Sequence, residues 1–157
     1  MTEEKILKKM IDYIDSLPID TRVIVFDPGT TKTARMAADQ LGVSVGQIAK
    51  SILFLVEDQP VLVVTSGDAK VQNGKIKHYL GAKPKMASAE ECMENTGFSP
   101  GGVCPFGLKN ARILLDESMK RFNVVYAAAG TSNTAVPVTF EQLLEVTGGE
   151  AVDICKT

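Results

Sequence analysis

Ile52-Leu53-Phe54-Leu55-Val56-Glu57-Asp58-Gln59-Pro60-Val61-Leu62-Val63-Val64-Thr65 decides the fold. Two apolar runs rich in β-branched residues, 52–56 and 61–65, predict strands, and Glu57–Pro60 between them predicts the turn of a hairpin. A hairpin pairs its strands antiparallel. It therefore breaks the strict strand–helix–strand alternation that the rest of the chain follows. The expectation is an α+β fold: a mixed sheet surrounded by helices.

Working outward, helix signals precede and follow the hairpin. Ile6/Leu7, Met10/Ile11, Ile14 and Leu17 recur at helical spacing, so residues 3–17 predict an amphipathic helix ended before Pro18. Val23–Phe26 predicts a short strand. Thr33 is a candidate N-cap for a helix that Gly42 stops. Ser44 and Gln47 fit a capping box opening a short helix. Further helices are expected near 75–80, from Ser88 to Gly97, over 117–122, and from Thr139 to Gly148. Strands are expected at 113–115, 124–128, 135–138 and 152–154. The 157 residues are read as one domain spanning 1–157.

Composition excludes several classes. No apolar run approaches the roughly 20 residues of a membrane span, so no membrane partner is expected. The charged start, Met1-Thr2-Glu3-Glu4-Lys5, resembles neither a signal nor a transit peptide. Cys92, Cys104 and Cys155 are odd in number and far apart, which points to a reduced, cytoplasmic setting. His78 is the sole histidine, so a His-rich metal site or a catalytic triad would depend on it alone; zinc held by it and the three scattered thiols is the remaining alternative, and the expectation is no metal. No cofactor is expected either. The formal net charge of −2 argues against an indiscriminate polyanion binder. From Lys70 to Ala89, however, there are Lys70, Lys75, Lys77, Lys83 and Lys85 and no acid. That stretch is either a solvated surface or a contact for a phosphate backbone, with Lys70, Lys75 and Lys77 as the candidate contacts.

Two segments carry candidate chemistry. Gly101-Gly102-Val103-Cys104-Pro105-Phe106-Gly107 packs three glycines, a thiol and a proline into seven residues. It is either an ordinary connecting turn or a loop shaped to hold a ligand against its backbone. Asp27-Pro28-Gly29-Thr30-Thr31-Lys32-Thr33 looks like the phosphate loop of actin-like and sugar-kinase ATPases. The chain is too short for their two large domains, and Thr31 stands where a P-loop has glycine. A strand-to-helix turn capped by Thr33 accounts for the segment, with a small nucleotide-binding protein as the competing reading.

Taken in order, Leu41-Gly42-Val43, Gln47-Ile48-Ala49-Lys50-Ser51-Ile52-Leu53-Phe54, Leu80-Gly81-Ala82, Thr96-Gly97-Phe98, Gly101–Gly107 and Ala128-Ala129-Gly130 resemble the YbaK/EbsC family, over roughly residues 20–155. That family includes the editing domain associated with prolyl-tRNA synthetase. The resemblance implies a trans-acting deacylase that hydrolyses the ester of a mischarged tRNA, with aminoacyl-tRNA as partner and a synthetase as a further candidate. It carries the family lysine onto Lys50 and the GxxxP loop onto Gly101–Pro105. Lys50, Gly101 and Gly102 are the expected catalytic residues. Ser51, Val103, Cys104, Pro105 and Gly130 are the expected substrate contacts. Some relatives have a histidine in the loop, where this chain has Gly102, Val103 and Cys104. Cys104 is read as a pocket wall or bystander rather than a nucleophile. The alternative is a non-catalytic module that binds a tRNA end or a nucleotide.

Overall fold

The computed structural model describes residues 2–157. Helix α1 (Glu3–Asp15) ends two residues earlier than the expected boundary at 17, and Ser16 closes it with a backbone N–H donated to Asp12 O. Its buried face is Ile6, Met10 and Ile14, one residue per turn. A short strand β1 (Ile24–Val25) leads through the 27–33 loop to α2 (Ala34–Leu41). Thr33 Oγ1 accepts the Met36 N–H, and Gly42 at φ 70° ends the helix in the left-handed region. A single 3₁₀ turn, Val45–Gln47, replaces the expected short helix.

The hairpin is β2 (Ile48–Val56) with β3 (Gln59–Ser66). Val56 pairs with Gln59, so the turn is two residues, not four. Glu57 and Asp58 both take positive φ, 51° and 65°, as a tight right-twisting hairpin turn requires. Gln59 and Pro60 belong to the strand. After β3 come β4 (Lys70–Val71), α3 (Asn73–Leu80), β5 (Lys85–Met86) and α4 (Ala89–Thr96). The second half supplies β6 (Arg112–Asp116), a 3₁₀ turn over Glu117–Arg121, β7 (Val125–Ala127), β8 (Thr134–Val138), α5 (Phe140–Thr147), β9 (Glu150–Val152) and β10 (Cys155–Lys156).

The main sheet runs β1-β8-β7-β2-β3-β6-β9, with β5 also on β2, and β4 and β10 form a separate ribbon. It is mixed: β2 is parallel to β7 and antiparallel to β3, while β3, β6 and β9 are parallel. Each face of the sheet carries a core. Ala49, Leu53, Leu62 and Val64 pack with α1, α5 and the 98–106 loop. Phe54, Val61 and Val63 pack on the other side with Ile76 of α3 and Ile154.

Pairing between β2 and β7 covers only Ile48↔Tyr126 and Ala49↔Ala127. Beyond Ala49, β2 continues along β3 while the other chain leaves β7 at Ala128 and turns back into β8. The sheet splits there, and the split is where a cleft opens.

Candidate active site

The cleft encloses about 670 Å³ of empty space, including its open mouth. Four segments meet around the split. Ala49, Lys50 and Ser51 come from β2, and Ala128, Ser132, Thr134 and Ala135 come from the β7–β8 turn. Pro100, Gly101 and Val103 come from the glycine loop, and Thr31 through Ala34 from the start of α2. Lys50 and Gly101, far apart in the chain, thus border one cavity.

The glycine loop is braced from behind. Gly102 N–H and Val103 N–H both donate to Ser99 O at 2.9 Å. Gly130 N–H donates to Gly102 O at 3.0 Å. A Cβ on Gly102 would fall 2.6 Å from the Gly130 carbonyl carbon and 2.8 Å from Thr131 Cα, so two backbones touch here as only glycine allows. Gly130 has φ 91°, and a Cβ there would meet Ile6, Met10 and Phe98. Helix α1 therefore presses on the β7–β8 turn, which presses on the loop. Thr134 secures that turn by accepting the Ala129 N–H at 2.8 Å and donating to Thr131 O at 2.9 Å.

The expected site residues are divided between the cleft and the core behind it. The Gly102 and Val103 amides are already bonded, so neither is aimed at a ligand. Gly101 N–H has no acceptor among the described residues and is the one amide of the three left over. Gly102, Cys104, Pro105 and Gly130 do not line the cleft; they are buried behind it. Val103 and Ser51 do line it. Cys104 is fully buried, its thiol donates to Phe106 O at 3.8 Å, and burial pushes its pKa up to about 12. A thiol held protonated in the core is no nucleophile at neutral pH. Lys70 lies on β4, and Lys75 and Lys77 lie on α3, over the second core; none of them lines the cleft, and Lys75 is paired with Asp153 at 3.2 Å.

Residues 27–33, read from sequence as a capped turn, contribute Thr31, Lys32 and Thr33 to the cleft wall. Tyr126, Ser132 and Thr134 are further lining residues that had no sequence signal of their own. Among the described residues, the ionisable side chains of the cleft are Lys32, Lys50 and Tyr126, with no carboxylate, histidine or cysteine. The charge of Lys50 also reaches Asp68: the Asp68 carboxyl lies below its ordinary range, first through its hydrogen bonds from Arg121 and to a lesser extent through Lys50. Among the described residues, no group of three or more His, Cys, Asp and Glu side chains could hold a metal ion.

Comparison with known proteins agrees with this layout. The profile of the aminoacyl-tRNA editing domain matches residues 28–146, which include the α2 loop, Lys50, the glycine loop and the β7–β8 turn. The uncharacterized protein YwhH of Bacillus subtilis is 42% identical over 130 residues, covering 81% of this chain and 83% of that one. The proline–tRNA ligase of Lactobacillus gasseri is 37% identical over 130 residues, covering 80% of this chain but 23% of the ligase. The chain thus spans under a quarter of the ligase it matches. A crystal structure of a candidate trans-editing enzyme for prolyl tRNA synthetase superposes with a TM-score of 0.87 at 30% identity, covering 100% of this chain and 99% of that one. With the profile spanning most of the sequence and the fold matched end to end, the chain belongs to the aminoacyl-tRNA editing domain family.

Proposed function

We propose that this protein is a trans-acting deacylase that hydrolyses the ester of a small amino acid on a mischarged tRNA, with proline tRNA as the leading candidate. The observation that carries the reading is the shared cleft. It brings together Lys50 and Gly101, whose amide has no acceptor among the described residues, in one space walled by short side chains such as Ala34, Ala37, Ala49, Ala128 and Ala135.

Ester hydrolysis places negative charge on the former carbonyl oxygen. A fixed backbone donor and a nearby ammonium stabilise that charge where water is scarce, and loss of one such donor typically costs about 10²–10³ in rate. The Gly101 N–H and Lys50 are the groups proposed for this task. Ser51 and Val103 are proposed to contact the aminoacyl ribose. With no carboxylate, histidine or thiolate in the wall, the attacking water is activated by the substrate, for instance by a ribose hydroxyl, while the protein supplies orientation. Size discrimination in such a pocket is limited to about 1–3 kcal/mol per methylene, which is why a separate editing step is useful.

The lack of a protein base in the wall favours one competing reading, a module that binds an RNA end without hydrolysing it. Incubation with a panel of mischarged tRNAs separates the two. Release of a small amino acid supports the deacylase. Tight binding with no release from any member of the panel supports the binding module and contradicts the deacylase.

A further inference from the structure

The sequence motif left unused by this account is Asp27–Thr33, and its Lys32 lines the cleft. Both neighbours of Lys32 are tied down. Thr31 is buried, and its hydroxyl donates to the carbonyl of Ser132, another cleft residue, at 2.8 Å. Thr33 accepts the Met36 N–H at 3.1 Å and fixes the loop to α2. Between these anchors Lys32 is exposed and has no hydrogen bond or ion pair among the described residues. Among the described residues the cleft therefore holds two cations and no acid: Lys50, half-buried on β2, and Lys32, exposed at the entry to α2.

Building on the editing reading, we infer that Lys32 binds the last phosphodiester of the tRNA, the one joining the acylated nucleoside to the nucleotide before it. The terminal nucleoside is itself free of negative charge, and the nearest formal negative charge of the RNA sits at this linkage. The ester and the phosphodiester lie at opposite ends of the ribose. From the phosphodiester the RNA must run out of the cleft, so its cation has to be at the surface. The ester has to sit inside, where a half-buried ammonium is more effective. This divides the two lysines by depth. Lys32 takes the phosphate, and Lys50 is left for the carbonyl. It also gives the phosphate-loop-like segment an anion to bind without invoking a nucleotide triphosphate.

The test is a double-perturbation cycle on binding. The probe is an acceptor-stem RNA ending in CCA, with its last phosphodiester either native or replaced by a neutral methylphosphonate. For the wild-type protein the neutral linkage should weaken binding about tenfold, the scale of one charge-assisted hydrogen bond. Lys32→Ala should weaken binding of the native RNA to a similar degree and lower the salt dependence by about one counterion. Combining the two should cost no more than either alone, and Lys32→Arg should restore most of the affinity. If the two losses multiply, or if neither weakens binding, the assignment of Lys32 is overturned while the editing reading stands. If the wild-type protein does not bind the RNA at all, the editing reading falls and takes this inference with it.

Discussion

Gly101 and Gly102 are adjacent and chemically identical, yet the fold uses them differently. A Cβ on Gly101 would meet only Ser132 Cβ, at 3.4 Å, inside the cleft. A Cβ on Gly102 would strike the Gly130 backbone. Gly102→Ala should therefore lose about 1–3 kcal/mol of stability, the usual cost of overpacking against atoms that cannot yield. Gly101→Ala should unfold near the wild-type denaturant midpoint but hydrolyse ester more slowly. Equal midpoints for the two variants would contradict the packing described. Cys104 gives the complementary case. Burial pushes its pKa up to about 12, so alkylating reagents should leave Cys104 unmodified in the native protein at neutral pH. Cys104→Ser should keep most of its deacylation rate. A trapped thioester, or loss of activity in a folded Cys104→Ser, would show that the thiol takes part.

At the scale of elements, local chemistry was legible and long-range pairing was not. Thr33, Ser88 and Thr139 cap α2, α4 and α5, and Gly42, Gly81, Gly97 and Gly148 end helices in the left-handed region. These are contacts within one turn, so the residues alone specify them. The strands β4, β5 and β10 are two residues each and exist only through partners distant in the chain, such as Cys155↔Val71 and Phe54↔Met86. No periodicity marks so short a run. The site follows the same division. Lys50 and the glycine loop could be picked out by motif. That Ser99 consumes two of the loop amides, and that Lys32 faces the same cleft, depends on tertiary contacts. Helix α1 shows how one element acts through another: Met10 is 2% exposed and lies where a Cβ on Gly130 would point. Met10→Ala should cost about 2–5 kcal/mol by leaving a cavity under the β7–β8 turn. It should also slow ester hydrolysis beyond what the unfolded fraction explains, because the turn braces the glycine loop. A variant that is destabilised but fully active per folded molecule would remove α1 from the support of the site.

For the whole molecule, the mixed sheet is what makes the site. A two-residue parallel contact between β2 and β7 holds the halves together, and the divergence just beyond it creates the cleft. On the proposed reading, a cation from β2 and an amide of the glycine loop act on the same substrate. The most direct check is single-turnover hydrolysis of alanine esterified to proline tRNA by wild-type protein and by Lys50→Ala, with RNA affinity measured in parallel. Rapid release of alanine by the wild type, a fall of about 10²-fold or more in the single-turnover rate of a folded Lys50→Ala, and only a modest change in RNA affinity are the predicted results. An unchanged rate in Lys50→Ala would contradict the claim that this lysine and the glycine loop act on one ester.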